Sequence, residues 1–257
     1  MGMVKIVLPP EYPYLFETHL HTSRGSACAN CSPTDAAKAY KKMGYSGIII
    51  TEHNWGGNTA ISRHLGWEDW VRKFVRGYEE AEIWGRKNDL MVLWGYESCF
   101  DATEFLILGL TPDFLLKYPE IRYAGVEEQY RIVHEAGGIV VHAHPFREAY
   151  HIPKVRLYPE YVDAIEGLNC AHITLYRDKE MYNRKAIKYA NENDFPITAG
   201  SDAHSVRLRG GGMAFKTMPR SGRHFIARLL SREDYLLSDG ETWYDAYGKP
   251  LAEVEFN

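Results

Sequence analysis

The stretch SGIIITEHN, residues 46–54, runs from Gly47 through three isoleucines and closes on Thr51, Glu52 and His53. A strand covered on both faces reads as a nearly unbroken apolar run, and parallel sheets flanked by helices bury their strands in that way. Its polar residues are confined to the C-terminal end, where α/β barrels assemble sites from the loops that follow each strand.

The flanking segments fit such a βα unit. In SPTDAAKAYKKMG, residues 32–44, Ser32 is an N-cap and Pro33 suits the first helical position. Ala36, Ala39, Tyr40 and Met43 share a face, and Gly44 ends the pattern. On the other side, WEDWVRKFVRGYEEAEIWGRK, residues 67–87, predicts one long amphipathic helix. Further strands are predicted at Phe16–His21 and in LMVLWGYES, TEFLILGL, GIVVHAHP, VDAIEGLN and PITAGSDAH. Helical spacing recurs at Val126, Tyr130 and Val133, and again at Tyr182, Ala186, Tyr189 and Ala190. The order predicts an α/β barrel of about seven mostly parallel strands. We expect one domain over residues 1–257, with a core at about 16–218. Beyond about 219 lies an appendage in which YLLSDGETWYDAYGKP reads as strand and turn.

Composition narrows the classes. Hydrophobic residues at 45% and charged residues at 25% suffice for a full core. A net charge of −4 gives no bulk attraction to nucleic acid or acidic membranes, although a local basic pocket is compatible with it. No apolar run approaches the roughly 20 residues of a membrane helix, and MGMVKIVLPPEYPY has no signal-peptide core, so a cytoplasmic protein is expected. Cys28, Cys31, Cys99 and Cys170 are too few and too irregular for a disulfide framework, so reduced thiols are expected.

Five predicted strands stop in metal-ligand chemistry at one end. They close on His19 and His21, on His53, on Glu97, on His142 and His144, and on Asp202 and His204. Three of these sets are i, i+2 pairs, which share a strand face. A single polar strand end is unremarkable. Several together would each need a reason to resist burial, since an unpaired buried polar group costs about 1–3 kcal/mol, so a shared metal site is the better account.

The ordered set HLH, TEHN, GYES, AHP and GSDAH resembles the polymerase and histidinol phosphatase (PHP) family of metal-dependent phosphoesterases, over roughly residues 16–205. The resemblance implies a distorted (β/α)7, TIM-barrel-like fold holding two or three divalent ions of zinc, manganese or iron. It makes His19, His21 and Asp202 ligands of one ion, Glu97 a bridging carboxylate, His144 a ligand of the second, and His53 with His204 ligands of a third. Glu104 stands where the family often has a histidine. Many members place another ligand five or six residues past the second histidine, where this chain has Ser26 and Ala27, with Cys28 next. His142 is expected on the same face as His144, as a substrate contact or supporting donor.

The implied reaction is hydrolysis of a small phosphorylated metabolite, a monoester or small phosphodiester with nucleotides among the options, by a hydroxide held between metals. Glu97, Asp202, His142 and Arg147 are the catalytic candidates. Guanidinium suits phosphate oxygens, so Arg147 is the first choice for substrate, followed by Arg24, Arg207 and Arg209. Two rivals stand beside this reading: a metallohydrolase of another bond, such as a lactone or amide, and a non-catalytic metal-binding module. CANC, residues 28–31, has zinc or redox spacing, but ordinary loop thiols are favoured because no second cysteine pair accompanies it. His64, His134, His151, His172 and His224 have no evident partners and are placed at the surface or rim. Trp55 and Trp67 are assigned to the core.

Overall fold

The computed structural model describes residues 6–174, 180–206 and 210–251. In chain order it contains β1 (Tyr14–Leu20), α1 (Pro33–Met43), β2 (Gly47–His53), α2 (Trp67–Phe74), α3 (Arg76–Arg86), β3 (Met91–Phe100), β4 (Thr103–Leu108), α4 (Phe114–Lys117), α5 (Val126–Glu135), β5 (Ile139–His142), β6 (Ala164–Asn169), α6 (Ala171–Thr174), α7 (Glu180–Glu192), β7 (Ile197–Gly200), β8 (Gly212–Phe215), α8 (Gly222–Ser231), β9 (Tyr235–Ser238) and β10 (Trp243–Tyr244).

The first βα unit forms as its sequence dictates. The Ser32 side chain accepts from the Asp35 N–H, Pro33 opens α1, and Gly44 ends it in the left-handed region at φ 100°. The expected long helix at 67–87 is two helices divided at Val75. Val75 keeps right-handed helical dihedrals, so the chain bends there without stopping. The bend lets α2 bury Trp70, Val71 and Phe74 while α3 buries Gly77 and Ala81.

One curled sheet carries the strands in the order β10-β9-β8-β1-β2-β3-β4-β5-β6-β7. β1, β2 and β3 are parallel, as are β5, β6 and β7. The expectation of mostly parallel strands fails at β4, which is antiparallel to both neighbours. Between the paired residues Phe100 and Thr103 stand only Asp101 and Ala102, with φ of 47° and 62°. Two residues at positive φ make a hairpin turn, whereas a parallel return needs a crossover of a dozen or more.

The chain beyond residue 219 holds more than the expected strand and turn. Helix α8 follows an N-cap at Ser221, and β9 and β10 extend the sheet through β8, which pairs antiparallel with β1. At the other edge, the segment after β7 curls back onto β1. Leu20 bridges to Ala203 in parallel, the His21 N–H donates to the Ala203 carbonyl at 2.9 Å, and the Thr18 hydroxyl donates to the Ala199 carbonyl at 2.7 Å. Gly200 permits this closure, since a Cβ there would meet His19 Cβ at 2.7 Å. A large apolar cluster fills the interior from Phe16 and Trp70 to Phe105 and Phe215, leaving the polar strand ends gathered at one mouth. Among the described residues, no helix is long and apolar enough to cross a membrane.

Candidate metal centre

The strand ends converge as the sequence predicts. His19 is the next-to-last residue of β1, which ends at Leu20, and His21 lies just beyond it. Their Nε2 atoms are 3.1 Å apart, and each is 3.4 Å from Asp202 Oδ1. From the end region of β3, Glu97 divides its carboxylate. Oε1 lies 3.2 Å from Nε2 of both His19 and His144, while Oε2 lies 2.7 Å from His53 Nδ1 and 3.6 Å from His21 Nε2. Glu104 approaches His144 Nε2 at 3.5 Å and His53 Nδ1 at 3.8 Å. Beside them, the rings of His53 and His204 both pack against His21, with centroids 4.3 and 4.4 Å away, and lie 5.9 Å from each other.

Four overlapping donor triads result: His19 with His21 and Asp202, His19 with Glu97 and His144, His53 with Glu97 and Glu104, and His21 with His53 and His204. Glu97 belongs to two of them, which suits a shared carboxylate. His21 also belongs to two, joining the triad of His19 and Asp202 to that of His53 and His204, which the resemblance kept separate.

Two of the donors sit on constrained backbone. His144 has φ 29° and Asp202 has φ 52°, a conformation that costs a non-glycine residue about 1 kcal/mol or more and is characteristic of functional sites. The turn at His144 also breaks the alternation expected for His142 and His144. β5 ends at His142, so the two side chains do not share a strand face.

His142 therefore stays outside the donor cluster. It is buried, stacks on Phe105 with centroids 5.0 Å apart, and leaves Nδ1 without a hydrogen-bond partner. Burial, with a smaller contribution from His144, pushes its imidazole down to about 3. A histidine depressed in this way binds its proton first in the unfolded chain, so it removes stability as pH falls below about 6.5 toward 3. Chemical denaturation of metal-free protein should therefore show an acid-side slope that is shallower in His142→Asn than in wild type, by up to about 1.4 kcal/mol per pH unit. Identical slopes would show that His142 is not held neutral by the fold.

A ring of buried side chains fixes the imidazoles. His19 Nδ1 donates to Glu166 Oε1 at 2.8 Å, and Glu166 Oε2 accepts from the His144 N–H and the Asn169 amide, each at 2.9 Å. The Ser26 hydroxyl donates to Glu52 Oε2 at 2.7 Å, so its oxygen accepts from His21 Nδ1 at 2.9 Å and from the His53 N–H at 3.0 Å. Glu17 Oε1 accepts from the N–H groups of Thr18, His19 and Ser201, tying β1 to the segment after β7. With their Nδ1 hydrogens committed, the neutral tautomers of His19 and His21 aim lone pairs at one another across 3.1 Å. Only a proton or a cation between them makes that contact favourable.

The electrostatics point the same way. Burial opposes ionisation of Glu97 and Asp202, yet His19 and His53 hold Glu97, and Arg147 and His19 hold Asp202, well below the usual carboxylate range. Burial and the adjacent Glu97 raise Glu104. Burial lowers His19 less than Glu166, Asp202 and Glu97 raise it, whereas burial together with His53 and His204 takes His21 well down. With neutral histidines, Asp202 and Glu104 have the Arg147 guanidinium nearby, whereas Glu97 loses the charge of the imidazoles that hold it. Buried charge left unpaired costs about 3–5 kcal/mol. Glu97 Oε2 and His53 Nδ1 are close but not aligned as a hydrogen bond, so both are orphaned. Excess buried carboxylate, opposed lone pairs and orphaned donor atoms all fit divalent cations. Imidazole and carboxylate oxygen are borderline and hard donors, suited to zinc, manganese or iron.

The other predicted residues divide. Arg147 enters the site, donating through Nη2 to Asp202 Oδ2 at 2.5 Å and through Nε to His172 at 3.1 Å. Arg24 lies exposed and pairs with Glu80 at 2.9 Å, so the structure does not bring it to the cluster. Arg207 and Arg209 lie outside the described residues. Cys28 and Cys31 do not act together. Burial raises the Cys28 thiol, but His204 and His53 beside it outweigh that and bring it down to about 6, whereas burial and Glu52 push Cys31 up to about 11. Among the described residues no donor group joins the two.

His172 departs from its expected place at the surface or rim. It is buried, its Nδ1 donates to Asn183 Oδ1 at 2.8 Å, and its Nε2 accepts from Arg147. Glu166, Glu52, Ser26 and Asn169 were not singled out as functional. A signal existed for the carboxylates: Glu17, Glu52 and Glu166 each stand inside a predicted buried strand, where an acidic side chain needs a partner.

Comparison with known proteins adds the following. The family model described as PHP-associated matches residues 180–210. No curated protein matches the chain. Among solved structures, a two-domain protein from Bacteroides vulgatus, described as containing a predicted PHP-like metal-dependent phosphoesterase, aligns with a TM-score of 0.66 at 16% identity. The alignment covers 92% of this chain and 68% of that one. PsfC from Pseudomonas syringae aligns with a TM-score of 0.58 at 16% identity, covering 85% and 93% of the two chains. An amidohydrolase from Chromobacterium violaceum gives 0.51 at 14% identity, covering 74% and 87%.

Proposed function

We propose that this chain is a metal-dependent phosphoesterase of the PHP type acting on a small phosphate monoester or phosphodiester. The reading is supported by the PHP-associated model at residues 180–210 and by a fold shared over 92% of the chain with a structure described as containing a predicted PHP-like metal-dependent phosphoesterase. The observation that carries this reading is the divided carboxylate of Glu97, with His19 and His144 on one oxygen and His53 on the other. A carboxylate so placed can hold two cations at a fixed separation.

His19 and His144 with Glu97 would hold one ion and His53 and Glu104 with Glu97 a second, while His21 with Asp202 and His204 would serve a further ion beside them. Bound divalent ions supply the charge that polarises a phosphoryl oxygen and lowers the pKa of water. The protein's own part is alignment. Glu166 and Ser26 hold His19 and His21 in the tautomers that present Nε2. Arg147 keeps Asp202 ionised and retains N–H groups that can orient an incoming phosphate.

A screen with 4-nitrophenyl phosphate, bis(4-nitrophenyl) phosphate and an aryl lactone tests the reading. Release from one of the phosphate esters, lost on chelation and restored by manganese or zinc, is expected. Turnover of the lactone alone would make it a metallohydrolase of another bond, and bound metal without turnover would make it a binding module. Arg147→Ala should raise KM for the phosphate ester about tenfold or more, with a smaller change in kcat. An unchanged KM would remove Arg147 from phosphate recognition.

A further inference from the structure

Beside the donor cluster lies a concavity bounded by Thr103 and Glu104 on one side and by Ile152, Lys154 and Arg156 on the other. Glu104 and His144, donors of the cluster, also line it, so it adjoins the cluster directly. The segment after β5 shapes this concavity. It turns at His144, whose carbonyl accepts from the Arg147 N–H, then doubles back through an antiparallel bridge between Ala149 and Ile152. One Arg156 N–H, at Nη1, donates to the Asp101 carbonyl at 2.8 Å, which moors this segment to the β3–β4 turn.

Three features of this cavity have no use in the chemistry derived above. Lys154 makes no ion pair among the described residues. Arg156 has spent one donor on a carbonyl and has no carboxylate partner there. By contrast, Arg72, Arg86, Arg131, Arg184 and Lys188 all meet a carboxylate three or four residues away. The third feature is His142, which lines the cavity at 1% exposure with Nδ1 unpartnered. Buried polar atoms are nearly always hydrogen-bonded, but this one has no exposed surface, so His142 backs the wall and the two cations form its polar face. Glu104 is the one carboxylate in the wall, and it already faces His53 and His144.

We propose that this cavity is an anion subsite, and that the substrate carries a second anionic group, phosphate or carboxylate, held by Lys154 and Arg156 while its reacting phosphate lies at the donor cluster. The inference rests on the phosphoesterase reading for the reacting group but not for the binding of the second anion. It assigns Lys154 and Arg156 to specificity, since neither touches the donor cluster. Because Glu104 and His144 border both the donor cluster and this concavity, the pair of sites selects small molecules with their two anionic groups on a short frame.

The test compares wild type with a Lys154→Ala/Arg156→Ala double variant on 4-nitrophenyl phosphate, 3-phosphoglycerate and fructose 1,6-bisphosphate. In wild type, at least one of the two doubly anionic compounds should show a KM at least tenfold below that of the aryl phosphate. The double variant should raise that KM at least tenfold while leaving kcat, and the KM for the aryl phosphate, within twofold. The preferred second group, carboxylate or phosphate, shows which source the subsite takes. No preference in wild type, or an equal rise for all three compounds in the variant, would overturn the subsite. Calorimetric binding of the same compounds to metal-loaded protein separates the two claims. Tighter binding of a doubly anionic compound that the variant loses, without turnover of any compound, would sink the phosphoesterase reading and leave the subsite standing. Equal binding by both proteins would sink the subsite whatever the turnover.

Discussion

Glu97→Gln should lower kcat by about three orders of magnitude or more, equivalent to about 4 kcal/mol of transition-state stabilisation, and should reduce bound metal. Glutamine preserves the volume of the side chain, so the far-ultraviolet spectrum should be unchanged. What disappears is the charge that faces His19, His53 and His144 together. A bridging role makes the loss cooperative, because both cations lose a ligand at once and their separation is no longer fixed. Metal content measured beside kcat is the check. If the variant kept full metal content and wild-type turnover, Glu97 would not be the shared ligand.

The second large effect is expected from a residue that touches no metal in this account. Glu166→Gln should weaken metal affinity about 10–100-fold, the usual cost of losing the partner of a metal-bound histidine. The carboxylate accepts the His19 Nδ1 hydrogen and, through its other oxygen, the backbone N–H of His144. It thus orients one ligand of each triad that contains His19. Glutamine offers one acceptor where both are in use, so His19 becomes free to change tautomer. Chelator competition reports the affinity, and excess metal should restore much of the turnover, which a folding defect would not allow. Unchanged affinity would mean that His19 is held by packing alone.

Much of this site is legible in the sequence because barrel strands must be apolar until they reach the mouth. His53 after three isoleucines, or Glu97 at the end of VLWGYE, has no reason to be polar apart from chemistry. The spacing of His19 and His21 carries over directly into a 3.1 Å approach. Other features depend on dihedral angles that a residue string does not encode. The positive φ of His144 turns that residue out of the strand alternation, while His142 stays in β5 opposite Phe105. The two-residue turn at Asp101 and Ala102 reverses β4, although neither residue is a glycine that would have advertised it. Ser26 stands where many family members place another ligand, and its hydroxyl links Glu52 to His21, a role visible only when residues 26 sequence positions apart are brought together. The sequence marks no partner for His172, because Asn183 lies on another helix and Arg147 lies 25 residues away.

The central claim is that side chains from six stretches of chain form one pocket that retains divalent cations. Elemental analysis of protein purified without chelator tests it most directly, on wild type together with His19→Ala and Asp202→Ala. The account predicts about two or three divalent ions per wild-type chain, with a clear deficit in each variant while the fold persists. A wild-type protein that holds almost none and takes up none from excess manganese or zinc, or variants that retain the full complement, would contradict it.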